Sequence, residues 1–238
     1  MLQIRNLSKT YKGGKRAVDN LSLTIEAGDI YGFIGHNGAG KTTVIKSIVG
    51  VIDFEEGEIL IDNHSVKKEP LVCKAMTAYI PDNPDLYEHL TGIQYLNFIG
   101  DIFQVPQHKR KDLIQQYAAT FVITSDLGKL ISTYSHGMKQ KLAIIAALIH
   151  EPKLLVLDEP FVGLDPKASL LLKNTMRTLC QQGHAIFFST HVLDVAEKLC
   201  NKIAIIKNGK LIASGDMESL IKNSSLEEVF MEVVERDE

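Results

Sequence analysis

Residues 35–43 read Gly35-His36-Asn37-Gly38-Ala39-Gly40-Lys41-Thr42-Thr43 and fill the pattern G-x-x-x-x-G-K-[ST] with no position forced. The apolar run just before them, 30–34, reads as a strand, and a helix is expected to start near Thr42. Gly38 and Gly40 let the backbone curl so that successive N–H groups face one anionic centre, and the helix adds the positive end of its dipole. The pattern therefore places a nucleotide on 35–43. Lys41 is expected to reach its β- and γ-phosphates, and the Thr42 hydroxyl to help hold Mg²⁺. A plain glycine turn ahead of a helix is the bland alternative, and the strand, loop and helix context weighs against it.

Working outward, Leu154-Leu155-Val156-Leu157 is apolar at every position, the pattern of a strand buried on both faces, and Asp158-Glu159-Pro160 ends it. Two adjacent carboxylates at the carboxyl end of a buried strand are costly unless they meet a cation or a reacting water. Behind a phosphate loop this assigns Asp158 to Mg²⁺, and Glu159 to orienting and polarising an attacking water. Alone, the triplet would be a polar strand end, because Pro ends strands readily.

Before that strand lies Tyr134-Ser135-His136-Gly137-Met138-Lys139-Gln140-Lys141, which opens the apolar helical stretch 142–149. Ser135 and Gly137 at a helix start offer a hydroxyl and uncovered N–H groups, a second anion site that one nucleotide cannot easily share with the first. Alone, Ser135 would be a plain N-cap. The phosphate loop, 134–141, 154–160, Gly163-Leu164-Asp165-Pro166 and His191, in that order, resemble the ATP-binding subunit of an ATP-binding cassette (ABC) transporter. The resemblance covers nearly the whole chain. The form YSxGMKQ and the tail Ser225-Leu226-Glu227-Glu228-Val229-Phe230 resemble the branch serving drug, antibiotic, ion and polysaccharide exporters.

That resemblance implies an ATPase using ATP and Mg²⁺, with a separate membrane permease and a second ATP-binding subunit as partners. In the implied head-to-tail pair, Ser135, His136, Gly137 and Met138 of each chain close over the ATP on the other chain's loop, and Asp165 sits at the dimer contact. Lys41, Glu159 and His191 are the implied catalytic set. His191 matches a switch histidine that contacts the γ-phosphate. It follows the strand-like run 186–190 at the end where open α/β sheets bind ligands; alone it would cap the next helix. Tyr11, in the basic, glycine-containing loop 9–16, matches an aromatic residue that stacks on adenine; alone it is a solvated hairpin tip.

Three positions depart from the family pattern. Asp82, in Tyr79-Ile80-Pro81-Asp82, stands where the family usually has Gln; as an acceptor only, it is expected to bind Mg²⁺ or its water. His136 replaces the first signature Gly and Met138 the last signature residue, while Ser135 and Gly137 remain.

With 238 residues, 45% of them hydrophobic, the chain can bury a full core without splitting into independent domains. No apolar run approaches the roughly 20 residues of a membrane helix, and the N-terminus lacks a signal-peptide layout. The expected location is cytoplasmic, peripheral on the inner face of the cell membrane through the permease. Cys73, Cys180 and Cys200 are scattered and fit reduced thiols. A net charge of −3 argues against a nucleic-acid partner, and the run 108–111 reads as the solvated start of a helix.

The expected fold is α/β. A phosphate-loop NTPase (RecA-like) core with an antiparallel β patch occupies 1–83 and 150–220, an inserted α-helical subdomain 84–149, and a C-terminal tail 221–238, in a single domain. Thr91 is expected to cap a helix carrying Ile93, Leu96 and Ile99, and 109–121 to form a second helix. Beyond 153, strand and helix alternate: helix 168–182, strand 185–190, helix 195–199, then a hairpin turned at Asn208-Gly209. The tail from Leu220 is helix-prone and acidic through Glu235-Arg236-Asp237-Glu238. The function expected is the ATP-hydrolysing subunit of an exporter. A cassette ATPase acting on DNA or ribosomes is the alternative, and such proteins usually carry two cassettes or a long coiled-coil insertion for which this chain has no room. A regulator without turnover is disfavoured by Glu159 and His191.

Overall fold

The computed structural model describes residues 1–222 and 224–235. The acidic end expected at 236–238 lies outside the described residues. Strands β1 (Leu2–Thr10) and β2 (Arg16–Ile25) pair antiparallel, β3 (Ile30–Ile34) leads into α1 (Lys41–Ile48), and β4 (Glu56–Ile61) returns to the free edge of β1, carrying the short β5 (His64–Ser65). The resulting sheet, ordered β2-β1-β4-β5, is the antiparallel patch. On β2, buried Leu21, Leu23 and Ile25 alternate with exposed Ser22 and Thr24, the period of a strand with one face on a core.

After α2 (Pro70–Met76) and β6 (Thr77–Ile80) come three longer helices, α3 (Gly92–Ile102), α4 (Gln107–Thr120) and α5 (His136–Leu148). Strand and helix then alternate through β7 (Leu154–Asp158), α6 (Pro166–Gln181), β8 (Ala185–Thr190) and α7 (Leu193–Leu199). The hairpin β9 (Lys202–Lys207) and β10 (Lys210–Asp216) follows, then α8 (Met217–Ile221) and α9 (Leu226–Glu235). The second sheet is ordered β10-β9-β3-β8-β7-β6, parallel from β9 to β6 with β10 antiparallel at the edge.

Every residue of β3, β7 and β8 is buried, because this sheet is covered on both faces. Ile30, Ile34, Leu155, Leu157, Ile186 and Phe188 pack toward α5 and α6. Tyr31, Phe33, Leu154, Val156 and Phe187 pack toward α1 and the antiparallel sheet. Parallel strands thus put the loop after β3 and the ends of β7 and β8 along one rim, where the candidate site lies.

Local chemistry accounts for several boundaries. Thr91 and Gln94 form a reciprocal capping box at the start of α3, with Gln94 N donating to Thr91 Oγ1 at 3.3 Å and Thr91 N to Gln94 Oε1 at 2.9 Å. Asn208 and Gly209 take φ of 49° and 80°, the two positive angles of a two-residue hairpin turn.

Three details correct the sequence reading. The run at 108–111 is not uniformly solvated: the Arg110 side chain is 11% exposed and turns back on α3, donating to Asn97 O and Val105 O at 3.0 Å each and to Asp101 Oδ1 at 2.6 Å. Lys109 pairs with Glu151. α7 starts at Leu193 rather than 195, and α2 has no counterpart among the expected elements. All three cysteines are free and buried. Among the described residues, no helix is long and apolar enough to cross a membrane.

Candidate nucleotide site

The loop 35–40 is held at both ends by backbone. A Cβ on Gly35 would meet Ile206 O at 2.5 Å, and Gly40, at φ 111°, has Ala17 O at 2.5 Å from the same direction. Only glycine meets both the angle and the clearance at position 40. Lys41, 6% exposed, folds back over the loop, its Nζ donating to Gly35 O at 2.6 Å and His36 O at 3.3 Å. Ala39 is buried, and its N–H donates to His36 O at 3.1 Å.

Asp158, at the end of β7, is almost fully buried. The Thr42 hydroxyl donates to its Oδ2 at 2.9 Å, and the Ser189 hydroxyl, from β8, donates to its Oδ1. Ser189 Oγ also accepts from Glu159 N at 3.0 Å, so one hydroxyl ties the Asp158 carboxylate to the backbone of Glu159. Nothing in the sequence marks Ser189 beyond its place in a buried-strand run.

Glu159 takes φ of 48°, a left-handed backbone that non-glycine residues rarely adopt. Its Oε1 is buried and makes no hydrogen bond. It lies 3.0 Å from His191 Nδ1 and 3.6 Å from Lys41 Nζ, close neighbours without hydrogen-bond geometry. Leaving such an oxygen unsatisfied costs on the order of 1–3 kcal/mol or more, which strain and burial at a functional position can justify.

Tyr11 lies between β1 and β2, with its hydroxyl 3.3 Å from Thr43 Oγ1 and its side 42% exposed. Asp82 follows β6. Tyr11, Lys41, Thr42, Asp82, Asp158 and Glu159, together with His36, Asn37, Gly38, Gly40 and Thr43, line one cleft of about 300 Å³. Lys15 and Ala17 line it too, although no pattern in the sequence assigns them a role. The carboxylates are felt nearby: burial pushes the Tyr79 hydroxyl up to about 12, and Asp158 and then Asp82 add to the rise.

Gly35 and Ala39 belong to the loop and His191 adjoins Glu159 without lining the cleft, while the signature and dimer-contact residues lie elsewhere on the chain. None of Ser135, His136, Gly137 and Met138 lines the cleft. Ser135 caps α5, its Oγ accepting from Met138 N at 3.3 Å, and the His136 ring packs over Gly163, leaving no room for a Cβ there. Asp165 caps α6, accepting from Ala168 N at 2.8 Å and pairing with Lys141 at 3.2 Å. These two contacts, the backbone one first, hold its carboxyl below the usual carboxylate range.

The donors suit a hard cation. Among the described residues no group of three His, Cys, Asp or Glu forms a protein-only cage. Mg²⁺ does not need one, since it keeps waters and substrate phosphate oxygens and takes one or two protein oxygens. Asp158 and Thr42 present such a pair, 2.9 Å apart.

A family model described as ABC transporter matches residues 18–162. The ABC-type transporter ATP-binding protein EcsA of Bacillus subtilis is 31% identical over 100% of this chain and 98% of its own length. The linearmycin resistance ATP-binding protein LnrL of Bacillus subtilis is 33% identical over 92% of this chain and 70% of its own. A solved structure of the ATP-binding subunit of an ABC transporter superposes with a TM-score of 0.94 at 31% identity, covering 98% of this chain and 99% of that one.

Proposed function

The chain belongs to the ABC transporter family as an ATP-binding, ATP-hydrolysing subunit, and on that premise we propose that it is the cytoplasmic motor of an exporter, driving a separate membrane permease through ATP-dependent closure of a head-to-tail pair. The observation that carries the catalytic reading is Glu159 Oε1, buried, without a hydrogen bond and set between Lys41 and His191. A carboxylate oxygen whose hydrogen-bonding capacity is unused can accept from an attacking water.

The other residues follow in role. Lys41 exchanges the Gly35 and His36 carbonyls for the β- and γ-phosphates, while the N–H groups of 35–43 surround the phosphates. Asp158 and Thr42 would hold Mg²⁺, which when bound would neutralise phosphate charge, and Asp82, on the same cleft, would contribute an acceptor to it or its water. Tyr11 stacks on adenine, and His191 meets the γ-phosphate from beside Glu159. Ser135 to Met138 do not line the cleft at 35–43, which supports a role across a dimer, with Asp165 at the contact.

Two states are needed for coupling. ATP favours the closed pair because it touches both chains, and hydrolysis removes that differential contact. We assign catalysis to 1–83 and 150–220 and permease contact to 84–149 with its surroundings. Tyr87, Phe98 and Ile102, exposed on the helical segment, support this. Export is supported by the resemblance of the tail at 225–230 and by the similarity to a resistance protein. Glu159→Gln is expected to keep ATP binding, lose turnover by about 10²–10⁴-fold and accumulate an ATP-bound dimer on size exclusion. Rapid turnover in that variant would remove Glu159 from catalysis.

A further inference from the structure

The two ends of the phosphate loop are clamped by backbone, but its crown is not: a Cβ on Gly38 would meet nothing within 4 Å. The crown is touched at His36, whose ring meets Phe230 of α9 edge-on, with centroids 5.0 Å apart and planes at 67°. His36 is a sensitive place to touch. Its carbonyl accepts from Lys41 Nζ at 3.3 Å and from Ala39 N at 3.1 Å, so its orientation sets where the lysine rests.

Phe230 is itself firmly held. It is 6% exposed and Leu226 is fully buried, both in the core that includes Ala196 and Leu199 of α7. Leu226 N donates to Glu197 Oε2 on α7 at 2.8 Å. That helix starts two residues after His191, so α9 touches the loop on one side and braces the segment after the switch histidine on the other.

We propose that Phe230 is a positioning residue for the phosphate loop: its ring, braced on α7, holds His36 and so lets the C-terminal helix set the affinity for ATP. A loop already held in place loses less freedom when a ligand binds, so the ring contributes to binding more than to turnover. An edge-to-face aromatic pair is worth about 2- to 12-fold in an equilibrium constant. The inference rests on reading 35–43 as the ATP site.

The test measures Mg²⁺-ATP affinity by calorimetry and kcat at saturating ATP on the full chain. Phe230→Leu keeps an apolar side chain without a ring and should bind ATP about 2- to 12-fold more weakly, with kcat within about twofold. Phe230→Met serves the same purpose if the Leu variant melts early, and Phe230→Tyr should restore the affinity. The double variant Phe230→Leu with His36→Ala should bind no more weakly than His36→Ala alone. Unchanged affinity in the Leu and Met variants, or strict additivity with His36→Ala, overturns the proposal. Lys41→Ala separates the two readings. If it abolishes binding while Phe230→Leu is silent, only the role of Phe230 fails; if it leaves ATP binding intact, the nucleotide placement itself fails.

Discussion

Tyr11 shows how one side chain changes meaning with its surroundings. In sequence it stands in a basic hairpin tip; in the fold its hydroxyl sits 3.3 Å from Thr43 and its ring stays partly open beside the loop. If that face stacks on adenine, Tyr11→Ala should weaken ATP binding by about 5- to 150-fold, the equivalent of 1–3 kcal/mol. Calorimetry showing unchanged affinity would return it to the hairpin-tip reading. Asp82 poses the opposite question, since a carboxylate near the γ-phosphate is repelled unless a cation lies between. Asp82→Gln keeps an acceptor, so ATPase activity should survive with a shifted Mg²⁺ optimum. Asp82→Ala should reduce permease-stimulated ATPase more than ATP affinity. Identical Mg²⁺ titrations for wild type and both variants would make Asp82 a bystander. Residues such as Lys41, Thr42 and Asp158 were legible because each belongs to a run whose neighbours explain it. Ser189 was not, since a lone hydroxyl in an apolar strand looks the same whether or not it meets a carboxylate.

Elements with caps or turns written into consecutive residues were the readable ones. Thr91 and Gln94 announce α3, and Asn208-Gly209 announces the β9–β10 hairpin. α2 was missed because seven residues hold too few turns for a period to show, and only Cys73 of them is buried. The junction of α3 with α5 carries a testable consequence. The Phe103 and His150 rings just beyond their ends stack at 3.8 Å and 13°, and neither His150 nitrogen has a hydrogen-bond partner. Burial pushes the imidazole down from 6.5 to about 4. Between those values the unfolded chain binds more protons than the folded one, so stability is full above about pH 6.5 and is lost as pH falls toward 4. The loss amounts to about 3 kcal/mol across the window. His150→Phe keeps a stacking ring and removes the titration, so urea unfolding at pH 5 and pH 7.5 should show a smaller acid loss for the variant. Equal losses in both proteins would clear His150 of the effect.

At the scale of the whole molecule, the cleft at 35–43 and the N-terminus of α5 are two candidate anion sites, and none of Ser135 to Met138 lines that cleft. If they complete each other across a pair, Ser135→Phe and Lys41→Ala chains should each be inactive, and mixing them should restore part of the ATPase activity. A mixed pair would then hold one site with both an intact loop and an intact Ser135. No recovery, with mixed pairs shown to form, would sink the composite site. By itself the sequence determined that a phosphate loop follows a buried strand, that two carboxylates end another, and that the whole is α/β. Those facts depend on dihedral angles, periodicity and desolvation, which neighbouring residues settle among themselves. Only the tertiary structure decided that Glu159 meets Lys41 and His191, that Ser189 aligns Asp158, that Arg110 is turned inward and that Phe230 rests on His36. Those meetings depend on the strand order β9-β3-β8-β7 and on which helix lies over which face, and packing between distant segments chooses these because no local pattern carries the energy of a contact whose partner is far along the chain.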